Sequence, residues 1–354
     1  MKRPGFLLSV MMILTCIIIS CNKNSDNSEP VQKKPYAWIA GEKDSTGYGM
    51  ILFSADSGET WVRQGLGTTA LKDIDVNDIW AVDENVVWAV CSSNVVLKTQ
   101  DGGKTWTRMQ PGSTRSSPRL SCISIVNRSN IWISGSGGTV YNSIDNGVTW
   151  IQFDTTFFHN GLMQGIWAIT PLKVYVVGGI DLPQSRGFIA YTLDGGVNWD
   201  TISPVNDYNR HEWIGVTALG GTIVVYGGRA HYMVSTDGGL NWKNDSVLHT
   251  GGILGADVNH LIMLNTQTWW GAFDLGEIFI TTDGGINWTS QPTNSGGEYL
   301  VGIDAWDNQL ALAVGMAASF PKRCPILRYS HAGSNWEVIK IFSSNLYKVT
   351  FVKQ

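Results

Sequence analysis

The sequence lacks the features of an α-helical, metal-binding or nucleic-acid-binding protein. After residue 35 no long segment places apolar residues at helical spacing, which argues against a helical fold. There is no HExxH, Walker or G-x-S-x-G motif. Charged residues make up 15% of the chain and the net charge is −4, whereas nucleic-acid-binding domains are usually basic. We therefore expect no nucleic-acid partner, no cofactor and no bound metal.

Cysteine is also scarce, with five in 354 residues. Cys16 and Cys21 belong to the N-terminal segment. That leaves Cys91, Cys122 and Cys324, an odd number without CxxC spacing. A disulfide framework or a zinc site is therefore not expected. We interpret these three as small buried side chains.

One long apolar run, Phe6 to Ile19, follows the basic residues Lys2 and Arg3. It is too short for a good transmembrane helix, and its flanks are those of a secretory signal. The sequence Ile18-Ile19-Ser20-Cys21 then resembles the lipobox of bacterial lipoproteins, in which the cysteine receives the lipid. An ordinary secretory signal with an incidental cysteine is the alternative.

The lipobox resemblance predicts three regions. Residues 1–20 form a lipoprotein signal peptide, residues 21–35 form a flexible polar tether after lipidated Cys21, and residues 36–354 form the folded domain. The implied location is the bacterial cell envelope, with the outer membrane as the expected site of attachment. The lipid is then the chain's only membrane anchor.

Glycine and tryptophan are abundant, at 40 and 16 residues, and they recur in a repeat. Seven units, aligned on a tryptophan that follows a turn, are spaced 43 to 49 residues apart. Such a period is typical of propeller or solenoid arrays. The aligned residues are Trp61, Trp106, Trp150, Trp199, Trp242, Trp288 and Trp336.

The turn before each tryptophan, here named the Asp turn, reads approximately S/T-x-D-x-G-x-T/N-W. Its glycines suit φ > 0, and its aspartate can accept hydrogen bonds from its own loop. The pattern resembles the Asp-box (BNR repeat) of sialidases, sortilin-type receptors and related propellers. Because a repeated catalytic carboxylate would be scattered around a rim, we predict a structural role for the six aspartates. They are Asp56, Asp101, Asp145, Asp194, Asp237 and Asp283, and His331 takes the position in the seventh unit.

Each unit also contains four short strand patterns, which indicate one propeller blade per repeat. The folded region opens at "YAWIAG" (36–41), which matches a second strand, and closes at "NLYKVTFVKQ" (345–354), which matches a first strand. We therefore predict an all-β fold. It is a seven-bladed β-propeller of four-stranded antiparallel blades, closed by a C-terminal strand that completes the first blade.

Two faces follow from this architecture. The Asp turns share a face, the turn face, with the loops that join first and second strands. The opposite face carries the loops between second and third strands and between blades, and loops on rigid scaffolds usually carry function. In enzymes with Asp-box propellers the active site lies on this opposite face. Our candidate binding residues there are Arg115, Arg119, Arg186, Arg210, His211, Arg229, His231 and Arg323.

The unit "VVWAVCSSNVVLKTQDGGKTW" (86–106) is similar to the repeat of the photosystem II stability/assembly-factor family. That resemblance covers the repeats from about residue 36 onward, mainly at scaffold positions. It implies a non-enzymatic monomer that binds a protein partner through an arginine-bearing face. Photosystem assembly itself is not implied, because such domains occur in bacteria that do not photosynthesise.

Two glycan-directed alternatives remain open. A sialidase-like enzyme would use Tyr208 with Glu212 as the nucleophile pair and Asp207 as the acid/base, although no anchoring arginine precedes the first Asp turn. A xyloglucanase-like enzyme would use two carboxylates that flank a sugar, and the candidates are Asp181, Asp207, Glu212 and Glu298.

The second alternative is a surface lipoprotein that captures carbohydrate. The tryptophans least explained by the repeat are its candidate binding residues, namely Trp213, Trp269 and Trp270.

Overall fold

The computed structural model describes residues 34–112, 117–180, 186–202, 212–247, 256–330 and 335–353. These residues belong to one compact unit, Lys34–Gln354. Within the described ranges the chain forms 28 strands and three single-turn 3₁₀ helices, at Thr69–Leu71, Gly228–Ala230 and Asp274–Gly276. No described helix is long and apolar enough to cross a membrane.

The strands, grouped by blade, have the following bounds. Blade 1 contains β1 (Ala37–Gly41), β2 (Met50–Ser54) and β3 (Val62–Arg63), and blade 2 contains β4 (Val76–Ala81), β5 (Val87–Cys91), β6 (Val96–Thr99) and β7 (Thr107–Met109). Blade 3 contains β8 (Leu120–Ile125), β9 (Ile131–Gly135), β10 (Val140–Ser143) and β11 (Ile151–Gln152). Blade 4 contains β12 (Leu162–Ala168), β13 (Val174–Ile180), β14 (Arg186–Thr192) and β15 (Asp200–Thr201). Blade 5 contains β16 (Trp213–Leu219), β17 (Thr222–Gly227), β18 (His231–Ser235) and β19 (Lys243–Ser246). Blade 6 contains β20 (Val258–Met263), β21 (Trp269–Phe273), β22 (Ile278–Thr281) and β23 (Thr289–Gln291). Blade 7 contains β24 (Tyr299–Ala305), β25 (Leu310–Met316), β26 (Cys324–Ser330) and β27 (Asn335–Phe342), and the last strand, β28 (Leu346–Phe351), joins blade 1.

The seven sheets form a closed ring. The innermost strand of every blade contacts the innermost strands of both neighbouring blades, in the cyclic order β28, β4, β8, β12, β16, β20 and β24. Blade 1 is assembled from both ends of the domain, since β28 pairs antiparallel with β1 and places Val349 opposite Ile39. The predicted seven-bladed propeller and its closure by the C-terminal strand are confirmed.

The cores lie between blades, and each interface between adjacent blades has its own apolar cluster. At the interface of blades 1 and 2, Trp38 of β1 and Ile51 of β2 pack with Leu97 of β6 and with Trp106. A single blade cannot bury both faces alone, so the closed ring is what removes these apolar surfaces from water.

The Asp turns take part in this packing through a glycine. Gly103, with φ of 85°, lies so close to Trp38 of blade 1 that a Cβ atom would come within 2.7 Å of the indole. Gly147, with φ of 83°, stands in the same relation to Trp88 of blade 2. Backbone conformation and space therefore both demand glycine at this position. The second-strand aromatic and the next blade's turn form one contact, which explains why they recur together.

Candidate functional site

The six Asp turns share one hydrogen-bond pattern, shown by Asp101. Its Oδ1 accepts from the hydroxyl of Thr99 at 2.8 Å and from the amide of Thr105 at 2.9 Å, and its Oδ2 accepts from the Thr105 hydroxyl at 2.6 Å. These bonds, above all those from Thr105, lower the pKa of Asp101 to about 2. Each carboxylate is thus bound within its own turn. The equivalent acceptors are Asp56, Asp145, Asp194, Asp237 and Asp283.

The three tryptophans considered for sugar binding are inaccessible. All sixteen tryptophans are buried or half-buried. Trp213 in β16 and Trp269 and Trp270 in β21 are each at most 2% exposed. Stacking on a sugar ring needs an accessible aromatic face, so these three residues do not support carbohydrate capture.

A central channel of about 600 Å³ runs along the axis of the ring. All seven innermost strands line it, and all seven carry a β-bulge at the same point, which the repeat did not reveal. The bulges turn one extra side chain per blade toward the channel. These residues are Asn77, Ser121, Gln164, Ile214, Asn259, Val301 and Tyr347.

The residues directly after the bulges form a second ring. Glycine occupies this position in three blades, at Gly165, Gly215 and Gly302, and Tyr226 of β17 fills the space over Gly215. The other four blades place their ionisable groups at this single level of the channel. These are Asp78, Cys122, His260 and Lys348.

Most of these polar side chains connect one blade to the next. Asn77 donates to the carbonyl of Leu120 at 2.7 Å, and Asp78 accepts from the amide of Ile123 at 2.9 Å, which ties blade 2 to blade 3. The same arrangement ties blade 6 to blade 7. There Asn259 donates to Leu300, and the His260 ring bonds to the backbone of Ile303. The channel's polar groups are therefore largely occupied by the fold.

His260 and Lys348 meet on the channel axis, with Lys348 Nζ 2.7 Å from His260 Nε2. Burial, and then the charge of Lys348, hold the pKa of His260 well below its usual value, so the ring is neutral. The Nδ1 atom of the same ring lies 2.8 Å from the carbonyl oxygen and 3.2 Å from the amide nitrogen of Ile303. Asp78, 3.8 Å from Nζ, balances the lysine charge.

The opposite face carries exposed arginines that have no carboxylate partner among the described residues. Arg63 pairs with Asp44 in the opposite-face loop between β1 and β2, and Arg128 pairs with Asp83 on the turn face. Four exposed arginines on the opposite face form no ion pair with any carboxylate of the described residues. A free guanidinium can form two parallel hydrogen bonds to a carboxylate. The four are Arg119, Arg186, Arg229 and Arg323.

Exposed apolar side chains lie in other loops of the same face. In blades 5 and 6 the loop between second and third strands has a left-handed residue at its tip, Arg229 with φ of 57° and Leu275 with φ of 61°. Blade 7 presents Phe320, which is 87% exposed, at the corresponding loop. Left-handed non-glycine residues tend to occur at functional sites. Sequence reasoning missed Leu275 and Phe320, because neither belongs to the repeat.

Several predicted site residues lie outside the described residues, namely Cys21, Arg115, Asp181, Asp207, Tyr208, Arg210, His211 and His331. Of the candidate catalytic carboxylates, Glu212 and Glu298 lie within the described residues. Glu212 is exposed at the start of β16 and accepts from Gln164 at 3.0 Å. Glu298 is 6% exposed and accepts from the amide of Ala318. His231, at the start of β18, is half-buried, and burial lowers its pKa.

Metal and disulfide chemistry have no basis in the described residues. There, no group of three or more His, Cys, Asp or Glu side chains is placed to hold a metal ion. Cys91, Cys122 and Cys324 are free thiols. Cys91 and Cys324 are buried, whereas Cys122 is half-buried at the channel wall.

The fold and this face define a seven-bladed β-propeller with a loop-built surface around the channel mouth. Two solved structures of YCF48 are similar, one bound to a D1 peptide and one from Cyanidioschyzon merolae. Each has a TM-score of 0.60, with 18% identity over 78% of this chain and 87% of that one, and 19% over 77% and 88%, respectively. At these identities the likeness shows the fold.

Xyloglucanases are similar as well. The GH74 xyloglucanase from Xanthomonas campestris aligns with a TM-score of 0.59 and 12% identity, over 91% of this chain and 53% of that one. A probable oligoxyloglucan-reducing end-specific xyloglucanase of Neosartorya fischeri is 27% identical over 202 residues, which is 51% of this chain. The match spans 24%, about a quarter, of that relative's length. No family model matches the chain.

Proposed function

We propose that this protein is a non-enzymatic lipoprotein of the bacterial cell envelope, whose opposite face binds a segment of a protein partner. The observation that carries the proposal is the set of four exposed arginines, without a carboxylate partner among the described residues, on the face that also carries exposed apolar loop tips. Arginines recognise carboxylates, and apolar tips provide area that is buried on contact. The partner segment is therefore acidic or ends in a free carboxylate, with apolar side chains nearby.

The likeness to YCF48 supports this choice of function. One of the two similar YCF48 structures holds a D1 peptide, so a propeller of this shape can present a peptide-binding surface. Attachment through Cys21 would keep such a binding protein at the membrane where envelope proteins assemble.

Charge reversal tests the proposal. The double variant Arg119→Glu/Arg229→Glu should lose its co-purifying partner, with a fall in affinity of about tenfold or more, because two carboxylate contacts become repulsive. Arg128→Glu is the matched control, since Arg128 is also exposed but pairs with Asp83 on the turn face. Equal partner recovery from the double variant and the wild type in quantitative pull-down would rule out this binding site.

A glycoside hydrolase is the second candidate, favoured by the 27% identity to a xyloglucanase. In this version Glu212, exposed on the opposite face, is one of the two carboxylates. Release of sugar from xyloglucan oligosaccharides by the wild type, abolished by Glu212→Gln, would replace the non-enzymatic proposal. We expect that neither the wild type nor Glu212→Gln hydrolyses xyloglucan oligosaccharides.

A further inference from the structure

The turn face carries an apolar arc of four side chains. They are the residues two places before the tryptophan in the Asp turns of blades 3 to 6, and each is at least 70% exposed. The same position is charged in blades 1 and 2, at Glu59 and Lys104. The arc therefore occupies one side of the ring. Its members are Val148, Val197, Leu240 and Ile286.

An apolar hollow of about 370 Å³ lies inside this arc, on the same face. Trp80 and Trp167 line it, with ring centroids 5.7 Å apart, together with Val126 and Leu219. One charged residue, Lys173, also lines it, and its Nζ donates to the carbonyl of Gly238. The arc lies on the Asp turns of this face, and the hollow shares Trp80, Val126 and Trp167 with the wall of the channel.

The folded chain also begins on the turn face. The carbonyl of Pro35 accepts from the amide of Ser57, and Lys34 pairs with Glu59 at 3.2 Å. Ser57 and Glu59 belong to the Asp turn of blade 1. The described chain therefore begins, at Lys34, on the turn face at blade 1, across the ring from the apolar arc of blades 3 to 6.

We propose that the turn face lies on a lipid membrane, with the apolar arc inserted among the lipids. This inference rests on the proposed lipid attachment at Cys21. The thirteen residues from Cys21 to Lys33 span at most about 45 Å even when fully extended, so blade 1 lies within that distance of the bilayer and the turn face can reach it.

The distribution of apolar residues fits lipid as the occupant. Four single aliphatic side chains, each at the tip of its own turn, can each enter the interface without a complementary partner surface. The half-buried pair Trp80 and Trp167 near the channel exit is of the type enriched at membrane interfaces. Attachment at blade 1 and insertion at blades 3 to 6 hold the ring at two opposite sides. The face therefore lies flat, and the arginine-bearing opposite face points away from the membrane.

Fluorescence quenching in vesicles tests the orientation. The full-length lipidated protein is reconstituted into vesicles of phosphatidylethanolamine and phosphatidylglycerol at about 3:1. It carries one polarity-sensitive label at Val197→Cys or Leu240→Cys, both more than 80% exposed in the wild type. The native thiols compete little, because Cys91 and Cys324 are buried and burial raises the pKa of Cys122 to about 12. Both labels should shift to the blue and be quenched by nitroxide-bearing lipid.

The controls are Phe320→Cys on the opposite face and Lys104→Cys at the matched turn position of blade 2. The label at 320 should be quenched by iodide and not by nitroxide-bearing lipid. The label at 104 should be quenched less by nitroxide-bearing lipid than the labels at 197 and 240. In a Val197→Asp/Leu240→Asp background, lipid quenching of a label at Ile286→Cys should be lost. If iodide still quenches the labels at 197 and 240, the inference is overturned. It is also overturned if these labels are protected from iodide but are not quenched by nitroxide-bearing lipid, because a second copy or a protein partner then covers them.

These outcomes are separate from the partner-binding proposal. Partner recovery is measured on the opposite face with the arginine variants, so either proposal can fail alone. If Cys21→Ala leaves the protein in the membrane fraction as before, the anchor itself fails. If Cys21→Ala releases the protein, but labels at 197 and 240 of the lipidated protein remain exposed to water, the anchor holds and only the proposed orientation is wrong.

Discussion

At the scale of single residues, the aspartate of the Asp turn acts as an acceptor for its own loop. For Asp283, the amide and side chain of Asn287 and the hydroxyl of Thr281 hold the carboxyl pKa below its usual value. The ionised form is the one that makes these bonds, so deprotonation and folding are coupled. The carboxylate that first suggests catalysis is engaged in the turn.

We predict that Asp283→Ala lowers the melting temperature at pH 7 by a few degrees, because the turn loses three acceptor contacts. The folded pKa is depressed, so this stabilisation is present above about pH 4 and is lost as the pH falls through the lower folded value. The difference between variant and wild type should therefore shrink toward pH 2 in thermal unfolding followed by circular dichroism.

Thr282→Ala, an exposed change in the same turn, is the control and should leave the melting temperature within about a degree of the wild type. A difference for Asp283→Ala that persists unchanged at pH 2 would contradict the coupling.

At the scale of the element, the innermost strands combine a bulge with a small or polar residue. The bulge itself left no visible signal in the sequence, because one extra residue in a short strand does not change the apolar pattern enough to be read. The channel cluster of Asp78, Cys122, His260 and Lys348 was therefore missed. Aligning the seven first strands on their bulges, rather than on the tryptophans, is what brings these four residues into register.

Gly215 tests the bulge geometry. Its Cβ position lies 2.3 Å from the Tyr226 ring, so we predict that Gly215→Ala costs about 1–3 kcal/mol of unfolding free energy in urea titrations. Gly215→Ala combined with Tyr226→Val should recover part of that loss, because the smaller side chain makes room. An alanine variant as stable as the wild type would show that the ring does not occupy this space.

At the scale of the whole molecule, the fold was readable because repetition sums weak local signals. Seven spaced tryptophans and two complementary ends predicted the blade count and the closure through β28. The loops of the opposite face were less readable. They are set by the space between blades, so the exposed Leu275 and Phe320 had no pattern to reveal them.

The molecule thus has two differently built faces. The turn face carries the Asp turns, the apolar arc and Lys34, and the opposite face carries four exposed arginines without carboxylate partners among the described residues. In our proposal the turn face contacts lipid and the opposite face binds a protein partner. This division predicts different contacts for the two faces in the intact envelope.

Site-specific photo-crosslinking in the intact envelope tests that division most directly. A photoreactive side chain is placed at Leu275 or Phe320 on the opposite face, and at Val197 or Leu240 on the turn face. The account predicts one discrete protein adduct from the first pair, lost in Arg119→Glu/Arg229→Glu, and no protein adduct from the second pair. A discrete protein adduct from Val197 or Leu240, with none from Leu275 or Phe320, would contradict it.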